Sequence, residues 1–362
     1  MGINKKLFTA GEAPLVPSEN FNTVLYTGNQ TARSITGFDF TPDLVWIKSR
    51  NETNLHVLTD SVRGTNKQLF SNQADAESTS TDRLTAFNAN GFSIAAGSSF
   101  YRVNKNSINY AAWSWKAGGS SNTFNKNGTG YSTASAAGLT GESNVTIQGS
   151  SVNTETGISI IKTLAGSGSG ETIPHGLGTQ PELIISKPLN AVLGWYTWTP
   201  VINNGSTSSY TGWDFLFLNT TAAAAASTFV YASNTHIYDD WASGRLMVYY
   251  SFVSIAGYSK IGSYSGSNSP LTIYTTDDGT SGGANGFEPA FVMFKRTNAS
   301  GSWIILDDKR TVSNGDALFP DSDSAESLSW NTAFISNGFT ISSNEAWISE
   351  AGGEYIFMAF SA

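Results

Sequence analysis

The sequence predicts an all-β protein: tandem antiparallel β-sandwich units, jelly-roll-like, that arise from an internal repeat and follow a short extended N-terminal arm. Three observations predict it. Apolar runs are only 4 to 7 residues long, rich in β-branched and aromatic residues, and bounded by Gly, Asn, Ser or Pro, which is the pattern of strands. Helical periodicity is nearly absent. The run PDLVWIK at 42–48 returns as PELIISK at 181–187 and as PAFVMFK at 289–295, with Pro first and Lys seventh each time. A fixed self-similarity of this kind decides architecture before any single motif does.

Residues 1–20 contain LFTAGEAPLVP, where Pro14 and Pro17 limit helix, and read as an extended arm. The first unit spans 21–119. It opens on an apolar strand closed by Tyr26, Thr27, Gly28 and Asn29, and ends on NYAAWSW from Asn109. In that run Ala111, Trp113 and Trp115 fall on one face and Ala112 and Ser114 on the other, as in a half-buried strand. Residues 120–156 hold few large apolar side chains and read as a linker or long loop, with Val145 and Ile147 suited to one edge strand.

The second unit spans 157–256, opening toward Leu164–Ser167 and ending on LMVYYSF from Leu246. Its run of alanines from Ala222 to Ala226 is too short for an independent helix and is expected to be a loop or an isolated turn. The third unit, 257–362, closes with EYIFMAF from Glu354, apolar on both faces and therefore central or covered by a partner. Almost nothing separates the second and third units, so they should pack tightly. Asn90-Gly91-Phe92 and Asn337-Gly338-Phe339 read as tight turns followed by a core anchor.

Composition excludes several function classes. The net charge of −8 over 362 residues opposes nucleic-acid binding, which needs a basic face, and anionic membranes. No run approaches a membrane span, and the N-terminus lacks the apolar stretch of a secretory signal. There is no cysteine, and His56, His175 and His236 lie far apart. No disulfide, thiolate site or histidine-rich metal site is expected, and no cofactor.

Asp60 stands twelve residues after Lys48 and is followed by Arg63; Asp307 stands twelve after Lys295 and is followed by Arg310. Recurrence in two units reads as a structural ion pair or turn cap. The middle unit has Thr199 at that place. Asp239–Asp240 and Asp277–Asp278 raise glycoside hydrolysis, which uses two carboxylates across a bond, but adjacent carboxylates in loops read more simply as solvated turns or calcium ligands. GSGSGE at Gly166–Glu171 lacks phosphate-loop order and reads as a hairpin loop. No catalytic residues are assigned. Aromatic content, with 10 Trp, 14 Tyr and 21 Phe, is the larger signal. Trp195, Trp198 and Trp213 cluster in the unit that lacks the Asp–Arg pattern, and are candidates for stacking on a sugar or at an interface.

With these residues laid out, the chain resembles structural proteins of tailed bacteriophages, of the marine type, known as tail-fibre or virion proteins. The resemblance rests on FNTVLYTGNQTARSITGF, PDLVWIKSR, LTDSVRG, AAWSWKAGG, HGLGTQPELIISK, GYSKIGSYSG, GFEPAFVMFKRT, WIILDDKR and GGEYIFMAF, and covers nearly everything from residue 20 onward. It departs from the pattern in the second unit and in 120–156. It implies a non-enzymatic virion protein, made in the host cytoplasm, that serves as a short tail fibre or receptor-binding subunit. The alternative it leaves is a capsid decoration, knob or tail-assembly protein without a host ligand, and the third reading is a surface-glycan depolymerase. The expected partners are other virion proteins through the N-terminal arm, a host-surface glycan or protein, and further copies of the chain, with a homotrimer favoured.

Overall fold

The computed structural model describes residues 15–97, 102–202, 212–227, 229–310, 316–327, 331–342 and 347–362. Most of the expected N-terminal arm, residues 1–14, lies outside them. Pro17–Glu19 forms a single 3-10 turn, with Pro17 at its first position, where a missing N–H costs nothing.

The protein is all-β, and its sheets are almost entirely antiparallel. Strands Phe21–Thr27, Asn109–Trp115, Leu44–Ser49 and Val57–Asp60 lie side by side in that order. Farther along, Ile158–Ala165, Leu246–Phe252, Leu183–Pro188 and Tyr196–Trp198 repeat the arrangement, as do Ser259–Ser265, Glu354–Phe360, Phe291–Arg296 and Ile304–Asp307. In each set the first strand of the stretch pairs with its last, so the chain closes on itself before moving on. Each of these inner sheets is backed by a three-stranded outer sheet. The outer orders are Arg33–Thr36, Gly91–Ile94, Leu84–Asn88; Glu171–Pro174, His236–Asp239, Tyr231–Ala232; and Leu271–Tyr274, Gly338–Ile341, Thr332–Ile335.

Alternation along the inner strands sends side chains into two different cores. One set, including Trp113, Trp115, Ile160, Tyr250, Phe291, Met358 and Phe360, meets in a single central cluster fed by all three inner sheets. The other set faces the outer sheets and fills three satellite cores, around Val45 and Phe92, around Ile184 and Ile237, and around Val292 and Phe339. NYAAWSW is therefore buried on both faces rather than half-buried: Ser114 and Ala112 are as enclosed as Trp113. The covering that EYIFMAF called for, which suggested further copies of the chain, is supplied within the chain.

Residues 120–156 are not a free linker. They contribute strands Phe124–Lys126, Thr129–Tyr131 and Val145–Asn153, the last of which lies along Ile158–Ala165 and extends that inner sheet to eight strands. Strand pairing is a property of the backbone, and a Ser- and Gly-rich segment pairs without the apolar alternation that would announce it. GSGSGE likewise joins an inner strand to an outer one and is not a hairpin loop.

Two carboxylates bind the chain where it leaves one sheet pair for the next. Asp43 Oδ2 accepts from the backbone N–H of Ala117 (2.8 Å) and Gly119 (3.1 Å). Glu182, at the matching place in PELIISK, accepts from Ser254 N at 2.6 Å. Gly91 and Gly338 each follow a two-residue hairpin turn, and a Cβ on either would lie 2.0 Å from a neighbouring carbonyl oxygen, of Ile35 or Ile273. Only glycine permits that approach.

Candidate functional site

The predicted Asp–Arg pairs lie at the seams between sheet pairs. Asp60 ends a strand, its Oδ1 accepts the N–H of Val62 and Arg63, and its Oδ2 accepts Arg63 Nε at 2.5 Å. Tyr250, from the second inner sheet, donates its hydroxyl to the same oxygen at 2.6 Å. Arg63 also donates to Leu58 O and Glu77. Asp307 and Arg310 repeat the geometry, with Nε to Oδ2 at 2.6 Å, and there the cross-seam donor is Trp113 Nε1 at 2.8 Å. Arg310 continues to Glu326, which also binds Arg50 Nε at 2.8 Å. All four ion-pair side chains are fully enclosed. At the place of Asp60 and Asp307 the second inner sheet has Thr199, and at the place of Trp113 and Tyr250 the third has Met358. Acceptor and donor are absent together, so at that seam neither stands without the other.

A second device repeats three times. Eight residues after each motif lysine stands a ring N–H or imidazole that reaches a carbonyl across a seam. Trp195 Nε1 donates to Phe70 O (2.8 Å), Trp303 Nε1 to Phe217 O (2.9 Å), and His56 Nε2 lies 2.9 Å from Phe319 O. Burial holds the His56 imidazole well below its usual range, so it remains neutral. The motif lysines are enclosed as well. Lys187 Nζ donates to Leu193 O, Pro188 O and, across a seam, Ala74 O. Lys48 donates to Ser49 O, and Lys295 to Arg296 O and Thr221 O. Burial pushes all three ammonium groups down to about 8.

Trp195, Trp198 and Trp213 are not available to a sugar. They are 0%, 5% and 1% exposed. Trp195 faces the central core and Trp198 and Trp213 the satellite core behind it. Trp198 Nε1 is satisfied by Ser186 Oγ at 3.1 Å. The GWYTWTP signal came from a strand covered on both faces, where aromatic residues serve packing.

An open cleft lies instead on the second outer sheet, lined by Glu171, Asp239, Asp240, Phe229, Tyr231 and Tyr238. Glu171 and Asp239 are directly opposite in the antiparallel register. Both oxygens of Asp239 are engaged: Oδ1 accepts from Asp240 N at 2.8 Å, and Oδ2 from Trp241 Nε1 at 2.7 Å and Tyr249 Oη at 2.9 Å. Glu171 receives only Trp241 N, at 3.2 Å to Oε1, and its buried Oε2 has no partner among the described residues. Burial, and then the charge of Asp239, pushes Glu171 up to about 7; burial pushes Asp239 up to about 6. Tyr231 and Tyr238 stack across the strands with ring centroids 4.4 Å apart. Phe229 is 66% exposed beside them.

Sequence reasoning noticed Asp239 with Asp240 but not Glu171. In the structure Asp239 is buried at a strand end and Asp240 is exposed. The relevant neighbour is 68 residues upstream, and only the pairing of ETIP with HIYD brings it in. Asp277 and Asp278 form a local turn: Asp278 Oδ1 accepts from Thr280 N and Oγ1, both at 2.9 Å, and Asp277 Oδ2 from Asn285 Nδ2 at 2.7 Å.

From residue 16 to residue 362 the chain matches a family model described as a domain of unknown function (DUF7483). The chain belongs to that family. Sheet pairs, seams and cleft all fall inside the matched stretch. None of the curated proteins compared matches the chain.

Proposed function

We propose that the chain is a non-enzymatic structural protein of a virion that adheres to the bacterial host surface, as a short tail fibre or receptor-binding subunit. The observation that carries the reading is the combination of a locked body with an open cleft on its outer face. Three sheet pairs share one core and are cross-tied by buried ion pairs and ring N–H donors, and the acid and aromatic cleft faces outward on the second. A body of this kind can assemble in a reducing cytoplasm and then persist outside it, because its fold needs no disulfide: cysteine is absent, and charged residues are only 13% of the chain. The likeness to tailed-phage virion proteins along nearly the whole chain supports the same reading. Residues 1–20 serve as the arm that docks on a neighbouring virion protein, and the threefold arrangement of inner sheets within one chain takes the place of a homotrimer in covering the apolar strands.

The test is competition for adsorption together with location. Purified protein added at saturating concentration should block adsorption of the particle to its host, and electron microscopy of intact particles should find the protein at the tail tip. Failure to block, with the protein found on the capsid lattice, favours a decoration role and overturns the adhesion reading.

A further inference from the structure

Each seam between sheet pairs carries the same cross-tie, a ring nitrogen that reaches a carbonyl of the neighbouring unit, but the three rings are not chemically equal. Trp195 ties the second unit to the first and Trp303 ties the third to the second, and an indole does not titrate. The seam between the third unit and the first has His56 in that place. This seam also joins units that are not consecutive in the chain: the first runs into the second through 120–156 and the second into the third through 253–258, whereas the third and first meet across packed surfaces alone.

His56 is fully enclosed, and its neighbours fix its protonation state. The Trp46 indole can only donate, and its Nε1 lies 2.8 Å from His56 Nδ1, so Nδ1 keeps its lone pair. The ring proton is then on Nε2, which donates to Phe319 O across the seam. A second proton would set Nδ1–H against the indole N–H and create an enclosed positive charge. Burial opposes that charge first, and Lys48 from the first unit and Arg310 from the third oppose it as well. The carboxylates around the seam are engaged elsewhere: Glu326 with Arg50 and Arg310, Asp316 with Arg50, Asp307 with Arg310, and Glu52 with Lys105, while the charge of Asp323 acts on Lys48. Among the described residues no carboxylate is bonded to the imidazole.

We propose that His56 is an acid-sensitive latch: a proton taken on Nδ1 breaks the Trp46–His56–Phe319 relay and frees the third sheet pair from the first, while the other two seams and the shared core stay closed. Two backbone hydrogen bonds cross the same seam, Asn54 N to Asp323 O at 2.8 Å and Glu326 N to Arg50 O at 2.7 Å, and Ser71 Oγ donates to Pro320 O at 2.7 Å. Opening releases them together. An imidazole exposed to water titrates near 6.5, well above the enclosed one, so the open seam binds the extra proton and each pH unit below about 6.5 multiplies its population by up to about tenfold. The third unit is thereby loosened in mildly acidic surroundings and seated again at neutral pH.

Hydrogen exchange of the full chain, read as protection factors from pH 7 to pH 5, tests this amide by amide. Asn54 and Glu326 report on the latched seam; Glu77, which donates to Leu189 O, and Ala224 and Gly301, which donate to Thr297 O and Thr221 O, report on the other two. The expected result is that protection at Asn54 and Glu326 falls roughly tenfold or more by pH 5 while the other three amides stay level. His56→Gln supplies an oxygen to accept from Trp46 and an N–H to donate to Phe319 O without titrating, and should abolish the fall. The charged groups of the seam are the same in that variant, so the difference from wild type belongs to the imidazole. His175→Gln removes the other enclosed imidazole, whose Nδ1 accepts from Leu177 N at 3.2 Å inside the second unit, and should leave the fall as it is in wild type. A level profile at Asn54 and Glu326 in wild type, an equal fall at all five amides, or a fall that persists in His56→Gln overturns the proposal. The wild-type profile decides by itself if His56→Gln does not fold.

Discussion

Replacing Asp307 by alanine removes the carboxylate that bridges Arg310 and Trp113. Arg310 and Asp307 side chains are both fully enclosed, so the guanidinium left behind has neither water nor its main counter-ion, and retains Ile305 O at 2.8 Å and a more distant Glu326 at 3.4 Å. Breaking one partner of a buried pair costs about 3–5 kcal/mol, most of it from the uncompensated charge. Trp113 Nε1 also loses its acceptor, which adds about 1 kcal/mol or more. By contrast Lys309 and Asp308, next door, form an exposed pair with side chains 43% and 34% accessible. Lys309→Ala should cost roughly 0–1 kcal/mol. The double substitution Asp307→Leu with Arg310→Met removes the charge along with its partner, and should be less destabilising than Asp307→Ala alone. Urea unfolding followed by tryptophan fluorescence measures all three. If Asp307→Ala is no worse than Lys309→Ala, or the double variant is no better than Asp307→Ala, the assignment of the seam ion pairs as determinants of stability is wrong.

Because the three inner sheets share one core, calorimetry should show a single transition for the whole chain, and residues 257–362 alone should not fold; separable transitions or a folded fragment count against the shared core. The motif lysines have folded values near 8, below the usual 10.5, so the unfolded chain binds more protons between those limits and stability rises with pH across them. The gain should be on the order of 1–2 kcal/mol per lysine between pH 8 and about 9.5, and it should reverse above about pH 10 as unfolded tyrosines ionise while buried Tyr249 and Tyr250 resist; a flat or falling profile from pH 8 to 9.5 contradicts it. Glu171 has the opposite sign: its folded value is raised, so its contribution is complete below about pH 4.5 and is lost as pH rises through about 7. Glu171→Gln should accordingly melt higher than wild type at pH 8 and nearly level with it at pH 5, and equal differences at both pH values would show the carboxyl is not strained by burial. Trp195→Ala should cost about 3–5 kcal/mol through the cavity and the orphaned Phe70 carbonyl; an unchanged urea midpoint would contradict its place in the core.

Strand character, and the ranges of the apolar runs, follow from local chemistry. β-branched and aromatic residues between turn formers leave little choice but extended backbone, so the runs at 42–48, 109–115, 181–187, 289–295 and 354–360 could be located before any contact was known. The Asp60–Arg63 and Asp307–Arg310 spacings are also local, since a carboxylate at a strand end caps the N–H groups two and three residues on. What the sequence by itself could not decide is which face of each strand meets which neighbour. Trp195 and Phe229 are both aromatic residues among polar neighbours, yet one is enclosed by two sheets and the other stands in solvent. The same holds for 120–156, whose backbone completes a sheet without an apolar signature, and for Glu171, which became a site residue only through its register with Asp239. Burial and cross-strand pairing are relations between segments far apart in the chain, set by how three sheet pairs close around one core, and no run of residues carries that information alone.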